Sequence, residues 1–412
     1  MKADGTLTKD APWFGKTIIR SCAKLDYATA QRMIDGTIEL GEGIVDEEGF
    51  AATLTEDIWE PSRRPVGQSA IACVRDVQMM AMIARNRRKL RLENGALVLT
   101  RTKLSFQLDE TGNPIRCSAY AIKESNSLVE EYMLLANFLV AKRLVDSLGP
   151  PAFLRRHPPP SMSGLTRLKL FSKVTGEVID TSSARGLQSS LSAIALRNEP
   201  LLLSAITALL TQPMQAAKYC VACDVSIEDR RHYALGIPCY THFTSPIRRY
   251  ADVIVHRLLE KSLLAGTANI SDEELKDMSQ IAEHCNLKKA TSKEAQDRSD
   301  RIFLAVLLKE EPILTEGVVI DMGASSFTVL IPAFGMDRRM FCNSMSGMLY
   351  EYDAHEHVLK LRKLPSDRDS RAQVLSGTLL FDSLELRVMK KVKLYICKKK
   401  DPPIDVEVHL VE

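Results

Sequence analysis

The sequence has no apolar run that reaches the length of about 18 residues needed to cross a membrane. Its first residues, Met1-Lys2-Ala3-Asp4-Gly5, contain no signal-peptide core. Nine cysteines are present, and only Cys220 and Cys223 form a CxxC pair. An odd, dispersed set predicts free thiols in a reducing compartment, and a single CxxC is weak evidence for zinc. These absences predict a soluble protein without a membrane partner, located by default in the cytoplasm.

Excess positive charge is also missing. The net charge is only +3 over 412 residues, so a nucleic-acid role would have to come from local patches. Hydrophobic residues make up 45% and charged residues 26% of the chain, which is ordinary for soluble globular proteins. A chain of this length can hold one large domain and a smaller one, with ample core.

The densest local chemistry lies between Tyr240 and Arg257. Ser245 followed by Pro246 predicts a helix start, because a serine hydroxyl caps free amides and proline suits the first helical position. Apolar residues then fall at helical spacing: Ile247, Tyr250, Ala251, Ile254 and Leu258. Arg248 stands in this predicted first turn, where the helix dipole favours an anion over a cation. The hydroxyl, the free amides and the guanidinium together predict a phosphate site.

A simpler interpretation of the same residues is a surface ion pair between Arg248 and Asp252, four positions apart. Immediately upstream, however, Tyr240, His242 and Phe243 place two aromatic rings and an imidazole beside the cation. Such a mixture suits stacked bases better than a plain protein surface. The stretch is therefore a candidate phosphate site.

The N-terminal third is predicted to contain a strand over Trp13–Ser21, a short helix from Asp26 and a loose insertion at 36–65. A helix is predicted from about Ser69 to Leu92, ending at Asn94-Gly95. Its predicted inward residues are Ile71, Val74, Met79, Met82, Ile83 and Leu90. The basic run at 85–91 fits either an RNA contact or a solvated helix end.

Further elements follow along the chain. Two strands at 97–108 and 115–122 are predicted to form a hairpin. Ser127-Leu128-Val129-Glu130 has capping-box spacing and predicts a long helix to about Leu148, stopped by Gly149. On that helix Glu130 and Asn137 share a face, which fits either satisfied buried polar groups or the lining of a wet channel.

The middle of the chain is predicted to be largely helical. Leu154–Pro160 cannot continue a helix and is interpreted as an ordered loop with two cations. Helices are predicted at 164–177, 185–196 and 199–218. Ser271 and Glu274 have the spacing of another helix cap, with helical sequence continuing to Leu308.

After Glu311-Pro312 the pattern changes to short β-type runs at 313–320, 327–331, 338–342, 358–361, 384–396 and 406–411. Five or six short strands in about 100 residues predict a small β-barrel. One segment carries seven cations in fourteen positions: Arg387, Lys390, Lys391, Lys393, Lys398, Lys399 and Lys400. With Arg338 and Arg339 it fits an RNA-backbone face, and a charged, solvated edge strand fits equally well.

The stretch from Tyr240 to Asp252, continuing through His256-Arg257, resembles the signature of the ribonuclease II (RNB) family. Three further segments agree in the family's order: Trp13–Ser21 with Lys24-Leu25, Glu124–Asn137, and Leu154–Pro160. The resemblance implies an α+β fold, with a mostly helical RNB domain over 1–310 and an OB-fold barrel over 311–412. Within the family, the sequence is most similar to the eukaryotic cytoplasmic branch that acts without the exosome and prefers oligouridylated RNA.

The resemblance also implies a processive hydrolase that degrades single-stranded RNA from its 3′ end at a Mg²⁺ or Mn²⁺ site. By position, Arg248 matches the arginine that contacts the reacting phosphate. The predicted RNA contacts are Tyr240, His242, Thr244, Ser245, Arg249, Glu130, Asn137, Arg338, Arg339, Lys398, Lys399 and Lys400. An ungapped count places Gln296 where bacterial members carry a glutamate near the terminal nucleotide.

One departure from the family is large. The aspartate cluster that holds its metal, D-x5-D-x-D-D, does not occur in this sequence, and the predicted metal ligands are therefore none. Two acidic groups, at 46–48 and 272–274, do not follow strands. Two expectations result: the C-terminal portion of a longer exoribonuclease, or an RNA-binding protein without catalysis. The remaining expectations from the resemblance are a monomer, no exosome core as partner, and a location in the cytoplasm, including P-bodies.

Overall fold

The computed structural model describes residues 1–21, 23–37, 70–99, 102–120, 122–264, 270–309, 311–345, 347–363 and 382–411. The loose insertion predicted at 36–65 lies almost entirely outside these residues. No helix in the described ranges combines the length and apolar character needed to span a bilayer. The described residues contain both helices and antiparallel strands, which confirms the predicted α+β class.

The helices are α1 (Tyr27–Asp35), α2 (Ala70–Glu93), α3 (Glu124–Leu148), α4 (Leu165–Thr175), α5 (Ala184–Leu196), α6 (Pro200–Thr211), α7 (Tyr250–Leu264) and α8 (Asp272–Leu307). The first strands are β1 (Leu104–Leu108), β2 (Pro114–Ala119), β3 (Phe153–Arg156) and β4 (Lys218–Val221). The C-terminal strands are β5 (Ile313–Gly323), β6 (Ser326–Ile331), β7 (Met336–Phe341), β8 (Met348–Asp353), β9 (Val358–Lys363), β10 (Ser383–Leu386), β11 (Lys391–Lys398) and β12 (Val406–Leu410).

The chain divides into two compact units, each assembled from three separate stretches. The first unit comprises Met1–Ala96, Ala121–His157 and Ala217–Asn286. The second unit comprises Leu97–Tyr120, Pro158–Ala216 and Leu287–Glu412. The domains predicted from the sequence, 1–310 and 311–412, are continuous stretches, whereas these units are discontinuous. The boundary at 310/311 therefore stays a prediction.

In the first unit, α3 and α7 pack around the short antiparallel pair β3–β4. The buried core there includes Val140 and Leu144 of α3, Phe153 of β3, and Ile254 and Leu258 of α7. A smaller apolar cluster lies between α1, α2 and α3. Its buried members are Met33, Cys73, Val74, Val77, Ala81, Ala84 and Leu128.

The second unit contains a five-stranded antiparallel sheet in the order β12-β11-β5-β6-β7, which nearly closes into a barrel of the OB-fold kind. Arg338 on β7 helps to close it, because its guanidinium contacts Asp405 at 3.2 Å and the carbonyl of Val406 at 3.4 Å. Those two residues lie at the start of the opposite edge strand, β12. Strands β8, β9 and β10 form a second antiparallel sheet, and all eight strands contribute to one apolar core.

Several sequence-based predictions are confirmed with shifted bounds. The hairpin is β1–β2, and α3 ends before Gly149 as expected. Ser271 and Glu274 form a reciprocal cap at α8, since each backbone amide donates to the other side chain. The long helix α3, however, begins at Glu124 rather than at Ser127. The backbone amide of Lys123 donates to the Asn126 side chain, so Asn126 supplies that cap.

Other predictions are wrong. Trp13–Ser21 is not a strand: no partner strand lies beside it in the described residues, and Ile18 and Ile19 are exposed. Leu154–Arg156 is not loop but part of β3, because β4 pairs with it. Helix α6 ends at Thr211 rather than 218. The predicted run 384–396 is two strands, β10 and β11, and β8 was not predicted.

Helical spacing alone also misjudged some inward faces. Met79 and Met82 of α2 are exposed, whereas the small residues Ala81 and Ala84 are buried. Ile247 is 95% exposed because the segment that carries it is not helical.

Candidate functional site

The predicted phosphate site lies on a turn rather than on a helix. Helix α7 begins at Tyr250, four residues after Pro246. The carbonyl oxygen of Ser245 accepts the backbone amides of Arg248 at 3.3 Å and Arg249 at 3.1 Å, which closes the turn. Arg248 is therefore exposed on a tight turn before the helix, with its guanidinium 3.5 Å from the Ser245 hydroxyl.

A fully buried carboxylate holds this turn in place. Asp252 is 0% exposed, and one of its oxygens accepts the Ser245 amide at 2.8 Å and the Arg249 guanidinium at 2.7 Å. The predicted alternative pairing, Arg248 with Asp252, is thus replaced by Arg249 with Asp252. Within the described part of the chain, the other Asp252 oxygen and Nε of Arg249 have no hydrogen-bond partner. Two buried polar atoms of the residues that hold this turn could therefore each accept or donate one more hydrogen bond.

Asn137 fixes the segment that precedes the turn. Its side-chain nitrogen donates to the Tyr240 hydroxyl at 2.9 Å, and its oxygen accepts the amides of Phe243 at 2.8 Å and Thr244 at 3.2 Å. Asn137 is 3% exposed, so it is a satisfied buried polar group. Glu130, which lies two turns earlier, is exposed, and the two residues do not share an environment.

The buried carboxylate of α3 is the next residue, Glu131. It is 2% exposed and forms an ion pair with Arg91 of α2 at 2.5 Å. Arg91, the last residue of the basic run at 85–91, therefore makes an internal ion pair. The sequence pattern pointed to Glu130, because helical spacing alone does not distinguish neighbouring faces of a helix that is apolar on most sides.

A row of six rings runs through the first unit. Successive ring centroids are separated by 5.9 Å (Phe153–Tyr219), 5.6 Å (Tyr219–His242), 5.7 Å (His242–Tyr240), 5.3 Å (Tyr240–His232) and 5.0 Å (His232–His157). The Tyr219 hydroxyl shares a hydrogen bond of 2.7 Å with Nδ1 of His242. Burial raises the pKa of Tyr219 and of Tyr240, so both phenols stay protonated at neutral pH.

Arg155 adds a buried cation to this row. Its guanidinium lies 4.9 Å from the centre of the Tyr219 ring, and its side chain is 6% exposed. Burial lowers the pKa of Arg155, and its Nη1 has no partner among the residues described. The sequence marks two cations in this segment, but it assigns neither Arg155 nor Tyr219 to the site. Tyr219 lies on the partner strand β4, 64 residues after Arg155 in the chain, so no local sequence pattern links the two.

The predicted RNA-contacting cations of the barrel fall into two classes. Arg338 pairs with Asp405, and Arg339 donates to the Ser326 hydroxyl and lies 5.4 Å from the Phe341 ring centre. Both are thus engaged in internal contacts. Lys398 and Lys399 are half-buried and Lys400 is exposed, at the end of β11. Gln296 is exposed on α8, and its role stays a prediction.

The residues around Arg248 do not fit a magnesium pair. Magnesium requires carboxylate and other oxygen ligands, and the nearest buried carboxylate, Asp252, is already neutralised by Arg249. Across the described residues, one group of three metal-ligand side chains is close enough to share an ion, and it lies in the barrel: Cys397, Glu407 and His409.

Comparison with known proteins identifies two matching family models. The RNB domain family matches residues 1–265, and the C-terminal domain of DIS3-like exonuclease 2 matches residues 312–390. DIS3-like exonuclease 2 of Xenopus tropicalis is 39% identical over 348 residues, covering 81% of this chain and 38% of that protein. A protein of Arabidopsis thaliana named inactive exonuclease DIS3L2 is 31% identical over 404 residues, covering 87% and 37%.

The fold has solved counterparts. RNase R of Mycoplasma genitalium, in complex with ribose-methylated single-stranded RNA, superposes with a TM-score of 0.65 at 16% identity, covering 93% of this chain and 52% of that one. The chain spans well under half the length of the curated relatives it matches. The signature stretch, the nearly closed barrel and the matched ranges together show that this chain belongs to the RNB family of exoribonucleases.

Proposed function

We propose that this chain forms the RNA-holding portion of a 3′-to-5′ exoribonuclease that hydrolyses single-stranded RNA, with oligouridylated RNA as the preferred substrate. The supporting observation is an exposed arginine, Arg248, on a turn that a fully buried carboxylate holds in place. A guanidinium held in this way can contact phosphate oxygens through two parallel hydrogen bonds.

The other predicted contacts take different parts in this proposal. His242, Thr244 and Ser245 accompany Arg248 along the RNA path, and Arg249 acts through Asp252. Asn137 and Tyr240 position that segment rather than contact RNA, because their polar groups bond to each other. Glu130 is exposed, and in this proposal it contacts RNA directly. On the barrel, Lys398, Lys399 and Lys400 attract the RNA backbone, and Arg338 and Arg339 on β7 add further positive charge.

A second candidate is an RNA-binding protein without nuclease activity. The observation that favours it is that, in the part of the chain described, no group of three metal-ligand side chains includes a residue next to Arg248. A relative in Arabidopsis thaliana carries the word inactive in its name. Under either candidate we propose a monomer that acts in the cytoplasm without the exosome core.

The purified 412-residue chain is expected to bind oligouridine yet release no nucleotide when Mg²⁺ is added. The sequence retains the phosphate-contacting arginine but has no D-x5-D-x-D-D cluster to hold the metal. Fluorescence anisotropy measures binding at a stated salt concentration, and chromatography of the reaction measures released monophosphates.

Each result has a defined meaning. Magnesium-dependent release by this chain would contradict the predicted inactivity and leave the exoribonuclease proposal standing. Equal affinity for single-stranded and fully duplex RNA would contradict the proposed single-strand path. Absence of any RNA binding would overturn both candidate functions.

Replacing Lys398, Lys399 and Lys400 by serine should lower RNA affinity uniformly across sequences and flatten its salt dependence. Each contacted phosphate that is lost reduces the slope of log affinity against log salt by about 0.7 for single strands. A control that removes exposed lysines elsewhere in the same unit, Lys169→Ser with Lys173→Ser on α4, should leave the slope unchanged. If the unaltered chain, the triple variant and the control all show the same slope, these three lysines do not contact the RNA backbone.

A further inference from the structure

Three metal-ligand side chains meet on the last two strands of the barrel. Cys397 lies near the end of β11, and Glu407 and His409 lie on β12. The antiparallel register places Cys397 opposite Glu407. Because side chains alternate along a strand, residues 407 and 409 point to one face of the sheet, and Cys397 points to that same face.

The distances are already close to those of a bound ion. One ligand atom from each residue, Sγ, a carboxylate oxygen and an imidazole nitrogen, lies within 4.8 Å of the other two. Nε2 of His409 is 3.7 Å from a Glu407 oxygen. Zinc bonds of about 2.0–2.3 Å at a tetrahedral angle separate neighbouring ligand atoms by roughly 3.5 Å. Small rotamer changes suffice for closure, since Cys397 and His409 are half-buried and Glu407 is exposed.

The set of donor types selects the ion. A thiolate with an imidazole and one carboxylate favours zinc or a similar transition metal, whereas magnesium prefers oxygen ligands throughout. The Tyr395 ring, 6.3 Å from that of His409, flanks the imidazole. The exposed side of Glu407 leaves a fourth position for water and a path of entry.

We propose that Cys397, Glu407 and His409 bind one divalent cation of the zinc class, with water as the fourth ligand, and that this ion ties edge strand β12 to β11. Binding displaces the proton of the Cys397 thiol into solvent. None of the three residues takes part in the proposed RNA contacts, so the site stands independently of the proposed function.

The competing thiol site is the CxxC pair. Cys220 is buried on β4, and Cys223 is exposed just beyond it. Burial raises the pKa of the Cys220 thiol to about 11 and also raises that of Cys397, so thiol acidity favours neither site. A metal experiment must therefore distinguish Cys397 from Cys223, and matched serine variants of the two do so.

Cobalt titration of the metal-free full chain tests the proposal. We expect one equivalent of Co²⁺ to give a thiolate-to-cobalt charge-transfer band and the strong visible bands of a tetrahedral site, with zinc displacing the cobalt. Cys397→Ser should abolish the charge-transfer band. His409→Gln and Glu407→Gln should weaken cobalt binding by more than the roughly 10- to 100-fold that follows loss of a residue supporting a ligand.

Controls separate this site from others and from misfolding. Cys223→Ser and His355→Gln, at exposed positions outside the group, should bind cobalt like the unaltered chain. Zinc should raise the thermal midpoint of the unaltered chain but not that of Glu407→Gln, whose exposed side chain makes it the variant most tolerant of substitution. No charge-transfer band, a band lost in Cys223→Ser instead, or an equal zinc shift in Glu407→Gln would each overturn the proposal.

Discussion

Arg248→Ala should slow RNA cleavage by about 10²- to 10³-fold and weaken RNA binding far less, in a protein that carries this chain behind a segment with the family's D-x5-D-x-D-D cluster. The proposed role of Arg248 is to bind charge that develops on the phosphate during the reaction. An interaction that strengthens in the transition state affects the rate constant more than the affinity. Single-turnover cleavage and anisotropy on the same oligouridine measure the two effects separately.

Two companion variants make this experiment specific. Arg248→Lys keeps the charge but loses the planar fork, so an intermediate rate is expected. Arg185→Ala removes an exposed arginine of α5, outside the signature, and should change neither rate nor affinity appreciably. Equal losses of rate and affinity in Arg248→Ala would show a binding role only, and the proposed contact with the reacting phosphate would then be wrong.

Asp252→Asn should lower the free energy of unfolding by about 3 kcal/mol. Loss of one partner from a buried ion pair costs roughly 3–5 kcal/mol, and the low end applies because the Arg249 side chain is 23% exposed. The variant leaves the Arg249 guanidinium without its carboxylate partner while conserving the shape of the side chain. Urea unfolding followed by circular dichroism measures the change.

The same helix offers a matched control. Glu260 of α7 pairs with Lys16 at 2.6 Å, and both side chains are largely solvated. Glu260→Gln should therefore leave the unfolding midpoint unchanged, because exposed ion pairs contribute little. If Asp252→Asn proves as stable as Glu260→Gln, the carboxylate does not hold the Ser245 turn, and Arg248 has lost its proposed support.

Sequence patterns correctly predicted those structural elements that depend only on residues close together in the chain. The reciprocal bonds of Ser271 and Glu274, the stop at Gly149 and the turn of the β1–β2 hairpin involve neighbours in sequence. The alternation of the C-terminal segments likewise predicted a barrel. Its closure by Arg338 and Asp405 depends on residues 67 positions apart, which no local pattern records.

The errors around the site have the same origin. Ser245-Pro246 has the composition of a helix start, but the Asp252 carboxylate takes the Ser245 amide and delays the helix to Tyr250. The strand β3 depends on β4, more than sixty residues later. Arg155 becomes part of the site only through Tyr219 on that partner strand. The sequence motif was enough to predict Arg248. The contacts of Asp252 that hold its turn became visible only in the folded structure.

The interleaved arrangement of the two units has a consequence for synthesis on the ribosome. The core around β3 and β4 includes both Val140 and Ala282, so it cannot be completed until Ala282 has been translated. The barrel core includes Leu410 and cannot be completed before that residue is translated. At roughly 5–20 residues per second, apolar segments such as α6 stay uncovered for many seconds. A ribosome stalled before residue 282 would present neither core complete.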